Sequence, residues 1–243
     1  MNVTFKRILV FGLFIFSSVS CSKKVDTPTV PPIIPFKGCH IIAASDLSPV
    51  GDTLGKYLFT YYEDGKLSGS HYENSNFKST TTYTYSGKKI YRVFNATTYS
   101  FLDTITLNDA GFMIQQNISS GGALSTSSYL YDSQMQLTTA ILQDSSFYTF
   151  TNGDNTLIRQ GPFTDTLVYD LNKPAVAGNL DEFFQSLNTG ATTIKNKHLL
   201  IAKYSGDSTK YSYTYNGDGN ISSIKFAYGN SGSSTLAYTY ECK

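Results

Sequence analysis

Pairs of apolar residues two positions apart run the length of this chain: Phe59/Tyr61, Tyr83/Tyr85, Ile105/Leu107, Tyr129/Tyr131, Tyr148/Phe150, Leu167/Tyr169, Tyr213/Tyr215 and Tyr238/Tyr240. A spacing of two puts side chains on one face only in an extended strand. Polar turns follow, as in Glu63-Asp-Gly-Lys-Leu67, Asn108-Asp-Ala-Gly-Phe112, Thr151-Asn-Gly-Asp-Asn155 and Asn216-Gly-Asp-Gly-Asn-Ile221. Asp, Asn and Gly tolerate the positive φ that tight hairpins need. The second member of each pair falls at 61, 85, 107, 131, 150, 169, 215 and 240. The repeating unit is therefore about two strands, and the long interval between 169 and 215 is close to two units. This pattern predicts an all-β antiparallel meander of a dozen or more strands. A sheet of that size curls, splits or closes, so a curled sheet or irregular barrel is expected. A four-bladed propeller is the alternative, with two repeats per blade.

The long interval holds the one helical candidate, near 180–188. Asn179 followed by Glu182 has the spacing of a capping box. Leu180, Phe183, Phe184 and Leu187 stand at i, i+3, i+4 and i+7, and Gly190 can end the helix. Such a helix is expected to cover an open part of the sheet. Asp103-Thr, Asp144-Ser, Asp165-Thr and Asp207-Ser each precede an apolar strand position by four residues. Their side-chain oxygens suit turn capping.

The domain is bounded on its N-terminal side by composition. Residues 22–37 contain Pro28, Pro31, Pro32 and Pro35, which favour extended polyproline geometry and deny ladder hydrogen bonds. They read as a tether within 21–37, and the folded domain is 38–243. Residues 1–20 have a basic start at Lys6-Arg7, an apolar run over 8–16 and small residues thereafter. The run is too short to span a bilayer and has the build of an export signal. Ser18-Val-Ser-Cys21 resembles the lipobox of bacterial lipoproteins. That resemblance implies acylation of Cys21 and a membrane contact through a lipid anchor. Ser22, together with the lack of an acidic cluster after Cys21, points to the outer membrane and to its periplasmic side over the cell surface.

With Cys21 acylated, Cys39 and Cys242 remain at opposite ends of the domain. Export permits disulfides, and pairing of the first and last strands would bring these two together. Two unpaired thiols are the alternative.

Tyr213-Thr-Tyr-Asn-Gly-Asp-Gly-Asn-Ile221 resembles the YD, or Rhs-like, repeat, and Tyr129-Leu-Tyr-Asp-Ser-Gln-Met-Gln-Leu137 is a degenerate copy without the glycine. The layout from 38 to 243 resembles a family of Bacteroidota lipoproteins of unknown function with Tyr-rich hairpins. The resemblance implies fold and address and brings no catalytic residues. Thr53, Thr104, Thr166 and Ser208, each after an aspartate, resemble the acceptor motif for O-glycosylation in exported Bacteroidota proteins.

Little in the chain points to chemistry. His40, His71 and His198 lack metal-ligand spacing. No nucleophile elbow or phosphate loop occurs, and no cofactor is implied. With a net charge of +1 and 15% charged residues, there is no basic footprint for nucleic acid. The 19 tyrosines exceed what one core face needs, and tyrosine offers large contact area with a polar tip. The expected function is a non-enzymatic binding or adhesion module for an unknown protein or glycan. A structural envelope lipoprotein is the first alternative, and a hydrolase acting on exported polymers through paired carboxylates the second.

Overall fold

The computed structural model describes residues 38–142, 144–229 and 231–242. Cys21, the signal segment and the tether lie outside these residues. The strands are β1 (Cys39–Leu47), β2 (Thr53–Tyr61), β3 (Leu67–Asn74), β4 (Lys78–Ser86), β5 (Lys89–Ala96), β6 (Ser100–Leu107), β7 (Met113–Ser120) and β8 (Ala123–Tyr131). They continue with β9 (Leu137–Ile141), β10 (Ser146–Thr151), β11 (Asp154–Gln160), β12 (Phe163–Pro174), β13 (His198–Ser205), β14 (Asp207–Tyr215), β15 (Ile221–Tyr228) and β16 (Ser233–Cys242). Each pairs with its sequence neighbours, and β16 returns to β1, so the meander closes as one barrel. Closure leaves no sheet edge for fraying or aggregation. It also rules out the propeller, whose blades would be separate sheets.

The closing ladder sets Cys39 opposite Cys242, and their sulfurs form a disulfide with Cα atoms 4.0 Å apart. The bond staples the two ends of the chain across the last seam of the barrel.

Three turns at the end of the barrel that holds this disulfide share one construction. Asn216 Oδ1 accepts the amides of Asp218 and Asn220, at 3.0 Å each. Asn108 does the same for Ala110 and Phe112, and Asp132 for Gln134 and Gln136. Each turn needs one residue at positive φ, which is Gly219 (81°), Gly111 (82°) or, in the degenerate copy, Met135 (61°). Directly after each turn a β-bulge shifts the register, as between Thr106/Leu107, Leu130/Tyr131 and Thr214/Tyr215. The next ladder then starts two residues late and leaves a carbonyl without a strand partner. The last inward tyrosine of the following strand supplies the donor: Tyr131 to Met113 O at 2.7 Å, Tyr169 to Asn155 O at 3.0 Å and Tyr240 to Ile221 O at 2.7 Å. The aromatic pair of the repeat is thus a packing residue plus a hydroxyl clamp.

Two of the Asp-Ser/Thr steps have a different role from the turn capping expected of them. Asp103 sits mid-strand on β6 and points inward, where its carboxylate is buried against Arg92 at 2.7 Å and Gln116 at 2.7 Å. Asp165 is mid-strand on β12 and pairs with Lys203 at 2.8 Å. Strand alternation therefore puts the aspartate inside and the hydroxyl neighbour outside, as with Thr104 and Thr166. Thr53 and Ser208 lie near the starts of β2 and β14.

Much of the outward face is polar. Register pairs share a face, so one rung runs Thr214, Ser223, Ala237, Ser45, Lys56, Glu73 and Lys78. The next runs Thr239, Ala43, Leu58, His71, Thr80, Asn95 and Ser100. Other rungs are more apolar: Val93, Leu102 and Leu124 share one, with Ser119 between, and Leu130 and Phe147 share another, with Thr139 between.

Candidate functional site at the open end of the barrel

Segment 175–197 closes the disulfide end. It contains a π-helical turn, Glu182–Ser186, running into a short α-helical turn, Leu187–Thr189, that ends at Gly190 with φ 72°. Asn179 Oδ1 accepts the Glu182 amide at 3.1 Å, while Glu182 Oε2 reaches the Gly178 amide at 2.7 Å. The expected capping box is present, shifted by one residue on the return bond.

The segment plugs the barrel instead of covering a sheet face. Phe183 packs edge-on to Tyr57 at 5.2 Å and meets Tyr238 at 5.8 Å. The Tyr83 hydroxyl donates to Leu187 O, the Met113 amide to Thr192 O, and the Ile221 amide to Ala177 O. These partners come from every side of the barrel. Phe183 and Leu187 are buried, but Phe184 is 53% exposed. A π turn holds more residues than an α turn, so position i+4 rotates off the buried face.

A polar latch ties the far end of the plug to the β10–β11 hairpin. Buried Asp154 accepts the amides of Lys197 and His198 on Oδ1, and the His198 ring lies 2.6 Å from Oδ2. Asn196 Oδ1 accepts the Asn155 amide at 2.6 Å, and Asn196 Nδ2 donates to Asp181 at 2.6 Å. A cavity of about 260 Å³ beside the plug is lined by both Asp181 and Glu182. Burial raises both carboxyl pKa values. The two groups face different neighbours, however. Asp181 lies toward Tyr169, Tyr213 and Asp154, and Glu182 toward Tyr61, Tyr238 and Tyr240.

The histidines are not brought together. His40 stacks on Tyr61 at 4.1 Å, His71 is on the outer wall near Glu73, and His198 belongs to the latch. Among the described residues, the ligand-type atoms that converge are the sulfurs of Cys39 and Cys242 with the Asp218 carboxylate, and the disulfide takes up both sulfurs.

At the other end the inward side chains are only partly covered. Phe94, Phe101, Ile118 and Tyr211 are intermediate in exposure, and Ser125 and Gln160 are exposed. Solvent therefore enters the barrel from this end. A sixteen-strand circuit encloses more space than its own side chains fill, and the plug occupies only the disulfide end.

Two aromatic stacks line this open end. One runs Tyr57, Tyr72, Phe77, Tyr99, Phe94 and Phe101, with neighbouring centroids 4.5 to 6.5 Å apart. The Arg92 guanidinium caps it, 5.2 Å from the Phe101 ring centroid. Burial beside Asp46 and Tyr72 pushes the Tyr57 hydroxyl up to about 12. The other stack is Tyr211, Phe226 and Tyr228, at 5.5 and 6.3 Å. The first stack runs from β2 to β6 and the second lies on β14 and β15, with β16 and β1 between them in the circuit. Phe77 and Tyr99, in turns, and Phe94, on no repeat pair, carry no repeat signature in the sequence. Only the register reveals that they adjoin.

No protein-family model matches the sequence, and no curated protein matches it either. Among solved structures, a porin-like protein from Bacteroides uniformis ATCC 8492 is similar with a TM-score of 0.61 and 17% identity, over 86% of this chain and 99% of that one. A porin-like protein from Bacteroides vulgatus ATCC 8482 aligns at 12% identity over 83% and 98% of the two chains, with a TM-score of 0.29. The first likeness concerns the fold: this chain has a porin-like β-barrel.

Proposed function

We propose that this chain is an exported, lipid-tethered barrel that stands in water and binds a ligand at its open end, with no catalytic role. The observation that carries this reading is the contrast in packing along the barrel interior. One end is sealed by buried apolar side chains, and toward the other two aromatic stacks run from that core out to partly exposed Phe94, Phe101 and Tyr228. Partly exposed aromatic surface of this kind marks binding sites.

The polar outer wall supports a barrel surrounded by water. Strands of eight to ten residues are long enough to cross a bilayer, but a lysine at the bilayer midplane costs about 2–4 kcal/mol. Lys56 and Lys210 are exposed at the fourth position of nine-residue strands β2 and β14, and exposed Lys78 begins β4. The barrel would then hang from acylated Cys21 by the 21–37 tether, on the periplasmic side of the outer membrane. The resemblance to Tyr-rich lipoproteins and the Cys39–Cys242 disulfide both fit that address.

The test is purification of the native protein from envelopes in mild detergent, with identification of co-purifying protein or glycan. Material bound at the open end is lost from Phe101→Ala and retained by Tyr91→Ala, an outer-wall control. Equal retention by both variants, or nothing bound to the wild type, rejects this site and leaves a structural envelope role. In Cys21→Ala, membrane partition should be lost; unchanged partition refutes the tether.

A further inference from the structure

The tips of the β13–β14 and β15–β16 hairpins enclose a cavity of about 510 Å³ on the rim of the open end, lined by Tyr204, Asp207, Ser208, Thr209, Tyr228 and Ser231. Its volume lies within the range of small-molecule sites. Tyr204 opposes Ser208 across one ladder, and Thr209 opposes Tyr228 across the next. Adjacent Ser208 and Thr209 point to opposite faces, so the cavity takes one tyrosine from each face and straddles the rim. Both rings are partly exposed, Tyr204 at 46% and Tyr228 at 39%. Tyr228 is held by its stack on Phe226 and by Ser234 Oγ, 3.0 Å from its hydroxyl. At Gly206, with φ 76°, an added Cβ would meet nothing within 4 Å, so this wall is open to an incoming group.

The lining selects among ligand classes. It contains one carboxylate, three side-chain hydroxyls from Ser208, Thr209 and Ser231, and two aromatic faces, with no lysine or arginine among the described lining residues. A phosphate or carboxylate would meet Asp207 without a cation to balance it. A bare ammonium group would use the carboxylate and an aromatic face and make no use of the hydroxyl donors. A sugar ring offers apolar C–H faces to tyrosines and O–H groups that donate to the carboxylate and exchange hydrogen bonds with hydroxyls.

We infer that this rim cavity is a binding site for a neutral sugar unit of an oligosaccharide, an assignment that rests on the open-end reading for its setting. Protein-observed NMR with tyrosine-labelled full domain tests it, using maltose, cellobiose and lactose as probes. At least one disaccharide should shift the Tyr204 and Tyr228 ring signals. Tyr204→Ala and Asp207→Asn should each weaken that response about tenfold, the loss of one hydrogen bond to a charged group or its equivalent, whereas Tyr91→Ala leaves it intact. No response to any disaccharide, or a response to tetramethylammonium or inorganic phosphate in its place, overturns the assignment. Loss of envelope material from Phe101→Ala alongside silent Tyr204 and Tyr228 signals would sink the sugar site and keep the open-end reading. Sugar shifts together with equal envelope retention in Phe101→Ala and Tyr91→Ala would do the reverse.

Discussion

The two ends of this barrel are built from the same strands, yet they differ in nearly every physical respect. At the disulfide end, Ile90, Ile105, Ile221 and Ile224 are fully buried and converge with Phe183 and Leu187 of the plug in one core. Tyrosine hydroxyls there satisfy the carbonyls that the bulges leave open. At the far end the inward positions carry Phe94, Phe101, Ser125 and Gln160, and no segment comparable to the plug covers them among the described residues. One end holds the fold together, and the other is left accessible for contact. The comparison teaches that stability and binding are divided along the barrel axis, so perturbations at the two ends should separate cleanly.

The largest separation is expected at the disulfide. It closes a sequence separation of 203 residues, and losing it should cost about 5 kcal/mol by the chain-entropy argument. Denaturant melts of the Cys39→Ser/Cys242→Ser protein, or of reduced wild type, measure this directly. A midpoint equal to that of the oxidised protein would show that the ladder alone closes the barrel.

Core truncation comes next. Phe183→Ala removes a ring that is 3% exposed and should cost about 3–4 kcal/mol. Phe101→Ala, at the open end and half-buried, should cost about 1–2 kcal/mol, because less area leaves water there. Comparable losses in the two variants would contradict the division between ends.

A smaller effect is expected at Met135, which occupies the turn position taken by glycine in the sister turns, with φ 61°. Met135→Gly should stabilise by about 0.5–1 kcal/mol, since relief of left-handed strain exceeds the added freedom of the unfolded chain. A lowered melting temperature would mean that the Met135 side chain contributes packing that outweighs the strain.

The smallest effect is a pH dependence confined to the plug. Burial raises the carboxyl pKa values of Asp181 and Glu182. A raised folded-state value means that their contribution to stability is fully present below the ordinary carboxyl range and is lost as pH rises through the raised values. Exchange of the plug amides, corrected for intrinsic rate, should therefore be slower at pH 5 than at pH 8. Asp181→Asn/Glu182→Gln should abolish the difference. Asp64, Glu73 and Asp109 have lowered values from exposed lysine pairs and act in the opposite sense below about pH 4, weakly because water screens them.

Much of the repeat was legible because its physics is local. Alternation at Tyr129/Tyr131 or Tyr238/Tyr240 requires strands, and Asn216-Gly-Asp-Gly permits only a tight turn. The pairing of Cys39 with Cys242 was legible for a topological reason: a meander leaves its first and last strands needing partners. Misreadings arose where one residue serves two structural purposes. Asp103 and Asp165 have turn-capping chemistry, but alternation turns them inward to Arg92 and Lys203. Phe184 has helical spacing with Leu180 and Leu187, but the π turn moves it to the surface.

What the sequence determined by itself is therefore the period of the strands and the chemistry of the turns, which depend on neighbours along the chain, while the end-to-end disulfide was an expectation that closure of the ladder decided. Only the tertiary structure decided that sixteen strands close into one barrel, that segment 175–197 seals one end, and that Phe77, Phe94, Tyr99 and Phe101 meet at the other. Closure and plugging depend on register summed over every ladder. A shift of one residue in any of them would turn a strand's side chains to the opposite face, and no local pattern carries that sum.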